Sequence, residues 1–423
     1  MISYILNSQI FFNIDESSGR WIFTKNPNKY PEKYEGDFDE WDNLIKMLVI
    51  NITDACNLDC IYCSRQCARK NAGKMSMSLI KNVLKKAADY SRLNHIKMTL
   101  QFYGGEPLTE FNKILDSIDS LSQEEQGRLK IRIQTNGTLI TEEIVRECSK
   151  RNIEIGISLD GTKIENDLAR KDISNEGTFD KIINALKLIK KYQKEVSCLT
   201  VVTNINIDNL DKILEFFNEI GITNVGFLPL YEEPTTRTIN KKIAPNMKQL
   251  AESQKRLFDK WINLLKEDKY KKLNISTFQI LIWNLLSSNS KTKKFRVNCG
   301  VGVNSLFVEN DGTLWGCGAF SYVDELILGN IQEQTLSEIQ RGHSYETFLK
   351  RTTSNVKGCK ECPFQFICRG GCVANGFRKN RDIFEKDIWC EYWWGIIKHI
   401  LIRIYEEPEI LKLIPNYNIK TLK

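Results

Sequence analysis

Between Lys46 and Tyr231 the chain alternates two hydrophobic rhythms. Short runs dense in β-branched and aromatic residues recur at Met47–Ile52, Ile96–Tyr103, Leu129–Thr135, Ile153–Leu159, Val196–Thr203 and Asn224–Leu230. Each reads as a strand buried on both faces. Between them lie stretches with helical spacing, at 78–93, 110–125, 141–151, 178–193 and 209–220. In the fourth, Ile182, Ile183, Leu186 and Ile189 share one face, while Lys181, Lys187 and Lys190 lie largely off it. Ser78 and Thr141 are the predicted N-caps of two of these helices. Strands joined by helices at similar spacing make serial βαβ units, hence a parallel sheet with right-handed crossovers. The expected class is α/β, with a partial (β/α)6 TIM-like barrel over residues 46–245. Chemistry in such barrels sits on the loops after the strand C-termini.

Outside that stretch the rhythm changes. Residues 1–45 predict a small β segment, with Met1–Phe12 beginning as a strand. Ser17-Ser18-Gly19 predicts a hairpin turn between Ile10–Ile14 and Arg20–Thr24. Residues 246–294 read as a helical bridge, most clearly over 246–290. Over 295–395 cysteine and glycine become dense and regular alternation ends, as in a metal-stapled domain with little core of its own. A tail at 396–423 has helical aliphatic spacing from Ile396 to Leu413.

Composition narrows the classes. A chain of 423 residues with 42% hydrophobic content has room for more than one unit. The formal charge of +7 comes from 60 basic against 53 acidic residues, with no domain-sized excess, so neither nucleic acid nor a membrane is expected as a partner. The start has no basic leader followed by a small-residue cleavage site. No run reaches the roughly 18–20 apolar residues that span a bilayer. A cytoplasmic protein is expected, and there its thirteen cysteines are for metal ligation or redox chemistry rather than disulfides.

The first cysteine group is Cys56-Asn57-Leu58-Asp59-Cys60-Ile61-Tyr62-Cys63, on the loop after the first barrel strand. Structural zinc normally takes four ligands, and Cys67 offers a fourth, so a zinc knuckle is the competing reading. A bacterial ferredoxin run needs a different spacing. Three thiolates on a four-iron cubane leave one iron open. A ligand with adjacent amino and carboxylate groups can chelate that iron and place a sulfonium against the cluster.

The Cys-x3-Cys-x2-Cys spacing, with aromatic Tyr62 before the third cysteine, resembles the radical S-adenosylmethionine (SAM) superfamily. The likeness continues along the strand ends. Gly104-Gly105-Glu106-Pro107 follows the second strand and looks like the family's motif for the SAM amino group. Gln134-Thr135-Asn136-Gly137 ends the third strand, and Ser158-Leu159-Asp160-Gly161 the fourth, with Arg170 downstream. The resemblance implies that Asn136, Ser158, Asp160 and Arg170 lie where ribose and carboxylate bind. Val201-Val202-Thr203-Asn204 ends the fifth strand, with Val202 where adenine is held.

The second group is Cys299 and Cys317, then Cys359-x2-Cys362-x5-Cys368-x3-Cys372, then Cys390. With Gly312 before Cys317 and Leu328-Gly329-Asn330-Ile331 after it, the pattern resembles the SPASM domain, which carries two auxiliary four-iron clusters. By that resemblance Cys359, Cys362, Cys368 and Cys390 hold the outer cluster, and Cys299, Cys317 and Cys372 the inner one. Seven cysteines serve two cubanes, and no cysteine occurs in 293–298, so an open iron on the inner cluster is expected. Closure by Cys67, Cys148 or Cys198 is the alternative, although Cys148 falls on a predicted helix and Cys198 on a predicted strand, as small core residues do. Trp389, Tyr392, Trp393 and Trp394 flank the last cysteine and are expected to exclude water from the cluster. His95, His343 and His399 form no metal-like pair and read as structural.

Three [4Fe-4S] clusters and SAM are the implied cofactors. The implied reaction is reductive cleavage of SAM to a 5′-deoxyadenosyl radical that abstracts a substrate hydrogen. The partners expected are a peptide or protein substrate, a precursor peptide with a leader, and a low-potential donor such as flavodoxin or ferredoxin. The first choice is a ribosomal-peptide maturase forming a thioether or carbon–carbon cross-link, the N-terminal segment resembling part of a leader-recognition fold. The alternatives are an anaerobic sulfatase maturase, which makes formylglycine, and a non-catalytic iron–sulfur electron-transfer protein. Sulfatase maturases place a catalytic Asp directly after the second SPASM cysteine. Here that position is Gly318, with Asp324 and Glu325 nearby as other candidate bases.

Overall fold

The computed structural model describes residues 2–7, 10–14, 21–26, 43–63, 72–230, 242–267, 270, 272–286, 300–321 and 323–415. It divides into two compact units, one of Met1–Asp42, Asn246–Asn298 and Lys350–Lys423, the other of Asn43–Pro245 and Cys299–Leu349.

In the first unit, β1 (Ile2–Asn7), β2 (Ile10–Ile14) and β3 (Trp21–Thr24) form an antiparallel sheet in that order. The start, expected as one strand through Phe12, reverses direction because Asn7 pairs with Ile10. An alternating pattern has the same period in one long strand as in a hairpin. The expected Ser17–Gly19 turn lies outside the described residues, and the strands on either side of it pair Ile14 with Trp21. Phe12, Trp21 and Phe23 form an aromatic cluster, and Trp21 Nε1 donates to Leu285 O at 2.7 Å. The stretch read as one helical bridge holds two helices, Met247–Leu265 and Ser276–Leu286, separated by a short strand at Asn274–Ile275. The C-terminal helix spans Cys390–Glu406 and starts six residues before the expected Ile396. His399 Nε2 lies 3.0 Å from Asp259 Oδ2, tying this helix to the Met247–Leu265 helix.

In the second unit, β4 (Met47–Thr53), β5 (Met98–Gly104), β6 (Leu129–Thr135), β7 (Glu154–Ser158), β8 (Ser197–Val202) and β9 (Asn224–Pro229) run parallel, each paired to the next. Between them lie α1 (Met77–Leu93), α2 (Phe111–Asp119), α3 (Gln123–Gly127), α4 (Glu142–Lys150), α5 (Lys163–Ala169), α6 (Phe179–Tyr192) and α7 (Leu210–Glu219). This is the expected α/β partial barrel. Three local readings change. The N-cap of α1 is Ser76, whose side chain accepts from Leu79 N, and Ser78 sits inside the first turn. Thr141 caps α4 as expected. The helix expected over 110–125 breaks in two because Ser122 and Glu125 form a capping box that starts α3 afresh. Helix α5 was not foreseen from the sequence, since its exposed Ile164 and Leu168 blur the amphipathic period.

The strands are also less uniformly buried than their apolar content predicts. Leu100, Phe102, Ile131, Ile133, Ile155 and Ile157 are buried beneath the helices. Their alternates Gln101, Arg132, Gln134, Glu154 and Gly156 are half-buried on the other face. A partial barrel keeps that concave face open instead of filling it with a core. Beyond β4 the sheet continues with strand Ser305–Val308, parallel to β4, and an antiparallel pair, Thr313–Trp315 with Ile327–Asn330. Residues 299–349 therefore pack with the barrel, while 350–423 belong to the other unit. Strand pairing joins segments remote in sequence, so the compact units do not follow the linear boundaries at 295 and 395. Among the described residues no helix is long and apolar enough to cross a membrane.

Candidate functional site

The loop after β4 carries Cys56, Cys60 and Cys63 at the carboxyl end of the parallel strands. It is stitched to the loop after β5, where Gly105 N donates to Thr53 O at 2.7 Å and Glu106 N to Ala55 O at 2.8 Å. A Cβ on Gly105 would lie 2.2 Å from Ala55 O, and Gly104 has φ +142°, so only glycine fits at both positions. Glu106 is wholly buried. Its Oε1 accepts from Thr135 Oγ1 at 2.6 Å and Leu108 N at 3.0 Å, and its Oε2 from Asn136 N at 2.8 Å. Burial raises this carboxyl above its ordinary range, against the pull of the three donors. Asn136 in turn reaches the cysteine loop, its Nδ2 donating to Asn57 Oδ1 at 2.9 Å and lying 3.8 Å from Cys56 Sγ.

A second knot lies beside the first. Helix α5 ends at Ala169, and the segment after it docks on the cysteine loop through Asp59 N to Lys171 O, 2.8 Å, and Ile61 N to Ala169 O, 3.0 Å. That docking drives Arg170 inward, 6% exposed, against the wholly buried Asp160. Tyr62 joins the two. Its hydroxyl donates to Asp160 Oδ2 at 2.5 Å and accepts from Arg170 Nη1 at 2.6 Å, while Arg170 and Asp160 stand 3.8 Å apart. Asp160 Oδ1 accepts from Val201 N at 2.9 Å. Arg170 Nε is buried and has no hydrogen-bond partner among the described residues. Ser158 Oγ accepts from Gln134 Nε2 at 3.1 Å on the half-buried face. Strand alternation turns Val202 to the buried side with Cys198 and Thr200, and leaves Val201 half-exposed.

These features suit a bound cubane and a carboxylate-bearing ligand. Burial pushes the Cys56 thiol up to about 11 and Cys60 to about 12, the neighbouring thiols adding to the rise. Ligation deprotonates such thiols, and the bound group supplies the missing charge. Among the described residues no three His, Cys, Asp or Glu side chains converge on a position for one metal ion. The orphaned Arg170 nitrogen and the glycine cradle at 104–105 are what such a ligand would complete.

In the other unit, Cys359, Cys362, Cys368 and Cys390 line one cavity of about 550 Å³ together with Trp393 and Trp394. Burial raises all four thiols, Cys359 to about 11, and Lys386 opposes the rise at Cys359, Cys362 and Cys390. Asp387, 3% exposed, organises the wall. It accepts from Cys372 N at 2.7 Å, Trp389 N at 2.8 Å, Trp393 Nε1 at 2.8 Å and Asn375 Nδ2 at 3.2 Å. The sequence reading missed it, although an acid three residues before Cys390 was the available signal. Tyr62, expected among the cofactor-binding residues for the aromatic ring before the third cysteine, also ties Asp160 to Arg170 through its hydroxyl, which the spacing does not signal. Of the remaining cysteines, Cys299 and Cys67 lie outside the described residues, and Cys317 falls in the barrel unit. Cys148 and Cys198 are each 1% exposed in the barrel core. Gly318 packs on Phe307, where a Cβ would lie 2.9 Å from the ring, and Asp324 and Glu325 are exposed.

Comparison with known proteins agrees with this geometry. Residues 50–218 match the Radical SAM superfamily, and residues 299–363 match the SPASM iron-sulfur cluster-binding domain. A Cysteine-type anaerobic sulfatase-maturating enzyme of Clostridium novyi is 28% identical over 357 residues, covering 82% of this chain and 92% of that one. The solved structure of anSMEcpe with bound AdoMet superposes with a TM-score of 0.72 at 26% identity, over 89% of this chain and 97% of that one. Streptococcus suis SuiB bound to its precursor peptide SuiA shares the fold, with a TM-score of 0.62 at 18% identity over 82% and 76% of the two chains. The protein is a radical SAM enzyme with a SPASM domain, and SAM and [4Fe-4S] clusters are its cofactors.

Proposed function

We propose that this enzyme matures a ribosomally made peptide by closing a thioether or carbon–carbon cross-link. When bound, cluster and SAM supply a 5′-deoxyadenosyl radical for hydrogen abstraction. The chain's part is to hold and orient. Cys56, Cys60 and Cys63 ligate the first cluster. Glu106, Asn136, Ser158 and the Tyr62–Asp160–Arg170 knot hold SAM, with Gly104 and Gly105 letting the backbone approach. Val202 backs the adenine end from beneath. Cys359, Cys362, Cys368 and Cys390 ligate one auxiliary cluster. Fixing the reactants in this way is worth several orders of magnitude in rate. The substrate is a precursor peptide with a leader, and the reductant a low-potential donor such as flavodoxin or ferredoxin.

The observation that carries the cross-linking choice is Gly318 against Phe307. The position after Cys317 holds no base, and its packing leaves little room for one. A cross-link can draw its nucleophile from the substrate itself, whereas oxidation to formylglycine calls for a protein base. The second reading, formylglycine synthesis, is favoured by similarity to the sulfatase-maturating relative along 82% of the chain. Incubation with SAM, dithionite and a candidate peptide, followed by mass spectrometry, separates the two. Loss of two hydrogens without an aldehyde supports cross-linking, and a hydrazide-reactive aldehyde overturns it. Absence of 5′-deoxyadenosine would sink both.

A further inference from the structure

Residues on the concave face of the barrel carry a charge pattern that cofactor binding does not use. Strand β6 reads Leu129-Lys130-Ile131-Arg132-Ile133-Gln134-Thr135, so Lys130, Arg132 and Gln134 share the half-buried face. Register sets Arg132 between Gln101 of β5 and Glu154 of β7. Glu154 Oε1 takes Lys130 Nζ at 2.7 Å, and its Oε2 takes Arg132 Nε at 2.7 Å. Both carboxylate oxygens are thus engaged by two cations, which leaves one positive charge in excess. Arg132 spends only its Nε on Glu154. Its two terminal nitrogens have no partner among the described residues, and the side chain is 42% exposed. Gln134, two residues further along the same face, bonds Ser158. Two residues of strand span roughly 6.6 Å, so Arg132 lies about one layer below the end of the barrel where Ser158 sits.

We propose that Arg132, backed by Lys130, is a subsite for a carboxylate of the substrate, either an acidic side chain or a C-terminal carboxylate. A guanidinium with its outer edge free matches a carboxylate in two-point geometry. Glu154 holds Arg132 by Nε and presents that edge, and it also competes for the same charge. The layer below the SAM end is where a peptide inserted into the barrel would place a residue next to the one that reacts. This assignment rests on the peptide-modifying function proposed above.

The test uses the cluster-loaded enzyme with SAM and three probes: N-acetylglutamate amide, N-acetylglutamine amide, and N-acetylglutamine with a free carboxylate. Binding is measured by saturation-transfer NMR. The first or the third probe should bind about ten-fold more tightly than the second, which has no carboxylate, and Arg132→Gln should abolish the difference. Glu154→Gln should tighten carboxylate binding several-fold, a gain that misfolding cannot mimic. Tight binding of the third probe assigns the subsite to a terminal carboxylate, and binding of the first alone assigns it to an acidic side chain. Equal binding of all three, or a preference that survives Arg132→Gln, overturns the proposal. SAM cleavage is assayed on the same preparation. Release of 5′-deoxyadenosine without carboxylate preference refutes this subsite alone, whereas no release refutes the radical function instead.

Discussion

Replacing Tyr62 by Phe removes one oxygen from the centre of the buried knot. That oxygen accepts from Arg170 at 2.6 Å and donates to Asp160 at 2.5 Å. A hydrogen bond to a charged group is worth roughly 1.5–3 kcal/mol, and two are lost. Arg170 and Asp160 already stand 3.8 Å apart and can close on each other, recovering part of that. A net penalty of about 2 kcal/mol follows, and the closing motion draws the guanidinium toward Asp160. If Arg170 holds the SAM carboxylate, the dissociation constant for SAM should rise about ten- to thirty-fold, since about 1.4 kcal/mol is a factor of ten. The assay is anaerobic titration of the reduced protein with SAM, following the electron paramagnetic resonance signal of the cluster. Iron content should not change, because the three cysteines are retained. An unaltered SAM affinity at normal iron content would refute the idea that Tyr62 positions Arg170.

Other substitutions probe the remaining parts. Asp387→Ala leaves four donors, one buried and three part-buried, without their acceptor, at a cost of about 3 kcal/mol, and should lower bound iron by about one cluster in a colorimetric iron assay. Gly318→Asp must push Phe307 aside, so it should destabilise the fold by about 1–3 kcal/mol in thermal unfolding and yield no formylglycine by itself. Burial pushes Cys148 and Cys198 each up to about 12, so iodoacetamide at pH 8 should leave both unmodified in the folded protein and label both after denaturation, as read by peptide mass mapping. The same two thiols favour the protonated form in the fold. Their stabilisation is therefore complete below pH 9 and is lost as pH rises toward 12, and urea midpoints should fall across that window.

The sequence by itself determined the periodic framework and the chemistry-bearing residue types. Alternating runs from Met47 to Leu230 were enough for the parallel α/β barrel, because hydrophobic period is a local property of the chain. Cysteine spacing narrowed the metal to a zinc knuckle or an open cubane, because ligand number limits what a site can hold, and the resemblance of the strand-end motifs to the radical SAM superfamily implied the cofactors. The tertiary structure decided what depends on residues distant in sequence. Ser305–Val308 pairing with β4 split the cysteine-rich segment between two units. Docking of Ala169 and Lys171 on the cysteine loop brought Arg170 to Tyr62, 108 residues away. Strand register set Lys130 and Arg132 of β6 against Glu154 of β7, and packing around Asp387 fixed the wall beside Cys390. Each of these needs a side chain held by partners that only folding brings near, and periodicity along one segment carries no information about which partner from another segment will meet it.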